Sequence, residues 1–437
     1  MLFASIVAII VSLALIIMVL KEPTIKIKGR EVTTFWIFPL LGAITLLVFN
    51  AVPLNYVLNS FQSNANMNPI KILVLFLSIS LLSISLDELG FFKYLANAAL
   101  KRFNKNQFSL FFVLYGLIAV LTMFTSNDII ILTFTPFICH FAKNAKINPI
   151  PYLVMEFIVA NTYSMTFSIG NPTNIYLSQS FNISFLEYFK IMALPSLFAG
   201  ITSLFVILLL FKNDLRAPIN TSYDLDIKIK NKKMMVINLV HLIVTTILLV
   251  ISNYIHIEMW LICLISASSL TIFLTISSII HKDNSLLKNT YKHLPYNLIP
   301  FVLSMFIIVL ALDYTGASQY VASFINNFCN TKASTTITYL IVSTLSDNLI
   351  NNIPMSVFFS SILSSGGTYQ MSAIYATIAG SNIGAYLTPI GALAGIMWMS
   401  LLKKQNVQYR FIDFVKYGSI IVPFVLLATF LGLFIAI

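Results

Sequence analysis

The sequence predicts an all-α polytopic membrane protein built as an inverted repeat, each half holding three spans, a re-entrant hairpin, a broken helix and a closing span. Three observations carry this expectation. Of 437 residues, 58% are hydrophobic and only 9% charged, with a mean hydropathy of +0.89; apolar runs recur from one end of the chain to the other; and two kinds of polar interruption occur once in each half. No soluble domain of this length has such a composition. The runs are long enough to cross ~30 Å of hydrocarbon as helices, unlike the roughly ten-residue alternating segments of an outer-membrane barrel.

The first span is 2–20, which lacks a basic n-region and an A-x-A cleavage pattern and so reads as retained, not as a signal peptide. Spans at 34–50 and 70–86 follow, then paired segments at 107–125 and 128–142, a long interrupted span at 151–177 and a closing span at 189–211. The second half repeats the series at 234–254, 258–280, 297–315, 333–345 with 353–365, 371–402 and 417–437. The chain therefore divides into a first half (1–211), a cytoplasmic linker (212–233) and a second half (234–437).

Basic residues assign the loops to sides. Lys21, Lys26, Lys28 and Arg30 follow the first span, Lys93, Lys101, Arg102 and Lys105 the third, and Lys212, Arg216, Lys228, Lys230, Lys232 and Lys233 fill the linker. The loops at 51–69, 178–188 and 252–257 contain no Lys or Arg and are external. Of 26 basic residues, 23 fall inside and only Lys71, Lys190 and Lys332 outside, with both termini external. The net charge of +11 is thus accounted for by topology, with no nucleic-acid surface implied.

Two places break simple alternation. Basic residues flank both 107–125 and 128–142, so both ends of that pair lie inside, and the stretch between them is the tip of a re-entrant hairpin, Ser126-Asn127-Asp128. The second hairpin, around "STLSDNLINNIPMSVFF", enters from outside, with its tip at Ser346 to Pro354. Non-helical backbone at that depth is tolerated only where protein or a cavity surrounds it. The halves echo each other in "SND" against "SDN", and in "ANTYSMTFSIGNPTN" from Ala160 against "SNIGAYLTPIGALAG" from Ser381. Inverted repeats with interrupted helices are the pattern of secondary transporters with a site at the midplane.

An aspartate at bilayer depth costs roughly 2.5–3.5 kcal/mol on insertion scales, so Asp128 and Asp347 need a reason. Either they cap the returning hairpin arms, or one or both bind or exchange a coupling cation, H⁺ or Na⁺. The second is favoured, because Ser or Asn would cap as well without the burial cost. Asn171, Thr173, Asn174 and Thr388 flank the Gly/Pro breaks in "SIGNPTN" and "YLTPIGAL", and a simple proline kink would not need them. Asn351, in "NNIP", adds donors beside a helix start at Pro354. Glu156, about a turn past Pro151, is expected to snorkel to the cytoplasmic surface, with a coupling role as the less favoured alternative, and Asp87, Glu88 and Asp313 are expected to be interfacial. Cys139, Cys263 and Cys329 and the five histidines show no disulfide or metal spacing. No cofactor is implied beyond the coupling ion.

"SLDELGFFKYLA" (Ser85 to Ala96), "SNDIIILTFTPF", "SDNLINNIP" and "LTPIGALAGIMWMSLL" (Leu387 to Leu402) resemble the arsenite permease branch of the ion transporter superfamily, which also holds citrate-transporter-like and sodium/proton antiporter proteins. The motifs cover nearly the whole chain in the family's order, and "GNPTN" looks more like the citrate-permease-like members. The resemblance implies a homodimer in the plasma (inner) membrane, with a scaffold domain and an elevator-like transport domain. It also implies substrate and cation binding at Ser126, Asn127, Asp128, Asn171, Thr173, Ser346, Asp347, Asn348, Asn382 and Thr388. Sodium-coupled dicarboxylate relatives carry Ser-Asn-Thr at the tips. Ser-Asn-Asp and Ser-Asp-Asn here lean towards a proton-linked carrier of a small oxyanion or a neutral hydroxide such as arsenite.

The expected function is a secondary active transporter of a small anion or arsenite, not an enzyme, with a sodium/proton antiporter as the alternative. A cytoplasmic ATPase partner is left open. The two aspartates do not sit in a G-x-G-D context, and neither H-E-x-x-H nor G-x-S-x-G occurs, which argues against an intramembrane hydrolase. A passive channel is distinguished only by transport against a gradient.

Overall fold

Helix α1 (Leu2–Lys21) leads through a small antiparallel hairpin, β1 (Thr24–Ile27) with β2 (Arg30–Thr33), to α2 (Ile37–Val48) and α3 (Leu54–Gln62). The computed structural model describes residues 1–437 apart from 22–23, 28–29, 63–67, 104–105, 220–228 and 253. Lys28, Lys105, Lys228 and most of the apical part of the expected linker lie outside the described residues. The β-hairpin was not expected; it is rich in Thr, Ile and Val, which favour a pleated backbone. The expected 34–50 span is also shorter. α2 has 12 residues, about 18 Å of helix, because Asn50, with φ +50°, and Pro53 end it.

The first half continues with α4 (Pro69–Glu88), α5 (Phe91–Phe103), α6 (Gln107–Phe124), α7 (Asn127–Ala145), α8 (Ile150–Ser164), α9 (Pro172–Ser180) and α10 (Phe185–Leu210). The second comprises α11 (Lys232–Val250), α12 (Met259–His281), α13 (Ser285–Lys292), α14 (Leu298–Tyr314), α15 (Ala317–Asn326), α16 (Lys332–Ile350), α17 (Asn352–Ser364), α18 (Gln370–Ile383), α19 (Leu393–Lys404) and α20 (Phe411–Ala436). Among the described residues, α4, α6, α10, α11, α12 and α20 are each long and apolar enough to cross a membrane, and α14 with α15 forms a seventh candidate bent by 77°. Apart from the short β-hairpin, the described residues form a helical, multi-pass membrane protein. Helices α5, α13 and α15 occupy stretches expected as loops.

Polar contacts between helix ends sort those ends into two groups. At one face, Gln107 at the start of α6 donates to the carbonyls of Asp214 (3.2 Å) and Ala217 (2.8 Å), and Asn148 after α7 donates to Asp214 Oδ1 (2.8 Å). Both ends of the α6–α7 pair therefore meet the same basic segment. At the other, Lys71 in the first turn of α4 pairs with Glu258 before α12 (2.7 Å), and the Lys332 ammonium donates to the Phe434 carbonyl (3.1 Å). A cavity of about 150 Å³ is lined by Thr335 and Tyr339 of α16 together with Leu363 of α17 and 366–370, so the ends of the second pair also lie together.

Packing between the halves is crosswise. α4 lies on α12 while α2 lies on α14; α7 meets α19 while α9 meets α17; α10 packs along α20. At the centre, α8 is buried from Pro151 to Ser164 and α18 from Ser372 to Ile383. By contrast, α11 and α12 expose Ile243, Ile247, Ile265 and Ile272, as lipid-facing helices do. The broken helices thus form the core of the molecule.

Candidate functional site

The site begins where helices stop inside the protein. α6 ends at Phe124, Thr125 and Ser126 are extended or irregular, and α7 starts at Asn127 with the Ser126 hydroxyl accepting from the Ile129 N–H (3.4 Å). Ser126, not Asp128, is the N-cap. Asp128 sits in the first turn of α7, where a negative charge complements the helix dipole, and its carboxyl has no hydrogen-bond or ion-pair partner among the described residues. Asn127 turns towards α8, donating to Asn161 Oδ1 (2.9 Å).

The first break follows at once. α8 stops at Ser164, a 3₁₀ turn covers Ser168–Gly170, and Asn171 caps α9 by accepting from the Thr173 N–H (3.2 Å), with Pro172 at the first helical position. A Cβ on Gly170 would lie 2.2 Å from the Ser164 carbonyl oxygen, so only glycine fits this fold-back.

The two broken helices meet through Asn382 of α18. Its Oδ1 accepts from Asn171 (3.1 Å) and Ser164 (2.9 Å), and its Nδ2 donates to Asn174 Oδ1 (2.7 Å). Asn174 donates in turn to the Ser164 carbonyl (2.9 Å), and the Thr173 and Ser381 hydroxyls are 3.1 Å apart. All of these residues are buried, and all are neutral.

In the second hairpin the expected tip is corrected. Ser346, Asp347 and Asn348 are helical, in the last turns of α16; the chain breaks only at Asn351, whose φ is +71°. The cause is the apolar Leu349-Ile350 that continues the helix up to the next breaker. Asp347 therefore cannot cap the returning arm. It is fully buried, and neither carboxyl oxygen has a hydrogen-bond partner among the described residues. A Cβ on Gly384 would come within 2.6 Å of Asp347 Oδ2, which places the carboxyl against the backbone at the second break.

Asn348 donates to the Thr344 (2.8 Å) and Gly384 (3.0 Å) carbonyls and accepts from the Thr388 hydroxyl (2.7 Å). Asn351 donates to the Ile390 carbonyl (2.8 Å), and the Asn352 N–H donates to the Gly391 carbonyl (3.0 Å), so the start of α17 is covered by the break between α18 and α19.

The structure thus gathers Asn171, Thr173, Asn174 and Asn382 into one network, with Asn127 attached to Asn161 beside it, and Asn348, Asn351 and Thr388 into a second, with Asp347 alongside. Asp128 and Asp347 do not share a contact, and Ser346, half-buried, joins neither network. Asn161, Ser164 and Ser381 were not singled out in the sequence, although all three lie inside the two matched stretches. Glu156 corrects a further expectation: it is fully buried, with both carboxyl oxygens accepting from the Thr135 hydroxyl (2.9 and 3.1 Å), and does not snorkel.

Known proteins agree with this architecture. The profile of the citrate transporter family (CitMHS) matches residues 5–372. The chain is 24% identical over 371 residues to the arsenical pump membrane protein of Escherichia coli, covering 82% of this chain and 84% of that one. It is 23% identical over 373 residues to that of Yersinia enterocolitica, with the same coverage. The crystal structure of the YdaH transporter of Alcanivorax borkumensis superposes with a TM-score of 0.57 over 99% of this chain and 98% of that chain, at 10% identity, a likeness of fold.

Proposed function

The chain belongs to the citrate transporter family, and from that premise we propose that it is a secondary active transporter moving a small anion, either arsenite or another inorganic oxyanion or an organic anion, coupled to H⁺ or Na⁺. It is a membrane transporter; substrate and coupling ion are the proposal. The observation that carries it is the buried amide and hydroxyl network at which Asn171 and Asn174 of one broken helix meet Asn382 of the other. Amides offer donors and acceptors together, so the network suits an oxygen-rich solute. The named arsenical pump relatives favour an oxyanion of this size.

The two helix pairs whose ends share a face support the re-entrant hairpins, and the crosswise packing supports an inverted repeat with its site between the halves. Asp128 and Asp347, carboxyls without partners, are the candidate cation sites. Asp347 beside the backbone of the second break also favours a second reading, a sodium/proton antiporter in which this carboxylate binds Na⁺ directly. A homodimer belongs to the same proposal and follows from the resemblance alone; a cytoplasmic ATPase partner is left open.

A thermal-shift and calorimetric screen of the purified protein with arsenite, phosphate, citrate and Na⁺ tests the reading. A bound solute at a hundred times its Kd stabilises by about 2.7 kcal/mol. The expected result is a shift with one anion or arsenite that Asn382→Ala removes. A shift with Na⁺ and with no other solute would favour the antiporter.

A further inference from the structure

Resting on the transport reading above, we propose that Glu156 is a proton-binding site served from the cytoplasmic face and separate from the hairpin aspartates. Among the described residues no Lys, Arg or His lies within ion-pair distance of this buried carboxyl; it accepts from the Thr135 hydroxyl, and the Trp398 indole of α19 also stands beside it. A buried carboxylate without a cation costs several kcal/mol. As the neutral acid it can keep the contact with Thr135 by donating instead of accepting.

A cavity approaches the pair along α7. A cavity of about 540 Å³ opens between the end of α7, the α7–α8 turn and the segment after α19, lined by Cys139, His140, Lys143, Asn148, Lys404 and Gln408 among others. Asn148 places it on the face of the basic linker segment. Its floor is the buried Cys139, four residues from Thr135 on the same side of α7, a separation of about 6 Å. Cys139 is thus the lining residue one turn from Thr135 along α7. Release carries the acid proton from Glu156 past this turn to water in the cavity, leaving the carboxylate and a hydronium ion; loading reverses this, and only O–H bonds change.

Several other titratable groups stand on the elements around α8. Tyr115 of α6 donates to the Gly200 carbonyl, Tyr188 of α10 to the Met165 carbonyl, and Tyr386, between α18 and α19, bonds Thr162. Tyr375 of α18 packs its ring tilted against Tyr188, its hydroxyl unpaired among the described residues, and Asp128, two turns before Thr135 on α7, is the hairpin carboxyl described above. From α7, Cys139 faces the carboxyl, and His140 and Lys143 stand at the cavity rim. A pH response that disappears with Glu156 is therefore distinguishable from one carried by His140.

The test uses proteoliposomes and compares flux driven by a pH gradient with solute exchange at equal pH, for the wild type, Glu156→Gln, Glu156→Asp, Thr135→Val and His140→Gln. Expected is that Glu156→Gln retains exchange but loses pH-driven flux by tenfold or more, that Glu156→Asp restores part of it, and that His140→Gln leaves the pH profile unchanged. Thr135→Val, which keeps the carboxyl, should move the midpoint of the profile, and this arm decides if Glu156→Gln does not fold. Unchanged pH-driven flux in Glu156→Gln, an unmoved midpoint in Thr135→Val, or wild-type flux that follows Na⁺ with no pH dependence overturns the proposal while the transport reading stands. Absence of gradient-driven flux in the wild type would instead sink the transport reading.

Discussion

Asp347 gives up water without gaining a partner among the described residues, which a structural residue at that position has no need to do. Replacement by Asn preserves shape and removes the unpaired acid, so Asp347→Asn should keep or raise thermal stability while gradient-driven flux falls steeply, because an amide neither releases a proton nor ligates a cation as a carboxylate does. Asp128→Asn should also fold normally, since Ser126 supplies the cap, whereas Ser126→Ala should cost about 1 kcal/mol of stability. Wild-type flux with an unchanged pH profile in both Asn variants would make these carboxyls structural. Gly384→Ala should displace Asp347 and destabilise by about 1–3 kcal/mol, measured by thermal unfolding in detergent. At this scale the sequence was partly legible. Polar residues inside apolar runs stood out, but Ser, Asn and Asp cap equally well, so the cap depends on which residue is extended. Asn161 and Ser164 look like ordinary helix residues until Asn127 and Asn382 are seen beside them, the latter more than 200 positions away. Glu156 was misplaced because distance from Pro151 gives height along a helix and not what covers the side chain.

The helix breaks were legible as elements, because Gly and Pro with flanking amides interrupt runs otherwise long enough to span. Their bounds were less so: α16 runs on through Asp347, and α2 stops short of a full span. The hairpins have a direct check. In a background with the native cysteines replaced, single cysteines at Asn106 and Asn144 should both be labelled only from the cytoplasm, and those at Asn330 and Thr368 only from outside. Labelling of Asn106 and Asn144 from opposite faces would remove the first hairpin. The Lys71–Glu258 pair fixes two helix starts to one face. Its hydrogen bond from Lys71 holds the Glu258 carboxyl below its ordinary value of 4.5, so the stability it lends is present above that value and lost as pH falls below it. The pair is half-exposed and should contribute less than about 1 kcal/mol, so Lys71→Met should lower the thermal midpoint slightly at pH 7 and by less as pH falls below 4.5.

For the molecule as a whole, composition and the charge bias of the loops were enough to establish a multi-pass helical membrane protein, because lipid leaves the backbone few alternatives. The pairings of α4 with α12, α7 with α19 and α9 with α17 join the two expected halves, but the contacts of Asn382 with both Asn171 and Asn174 could not be read from one sequence. The account depends on those contacts lying between two halves that rearrange around a bound solute and a cation. The most direct measurement is uptake of radiolabelled or mass-detected arsenite, phosphate or citrate by proteoliposomes under an imposed H⁺ or Na⁺ gradient. The account predicts accumulation of one solute above its external concentration, abolished by an ionophore that collapses the gradient and by Asp347→Asn. Equilibration without accumulation, indifferent to either gradient, would contradict it and indicate a passive channel.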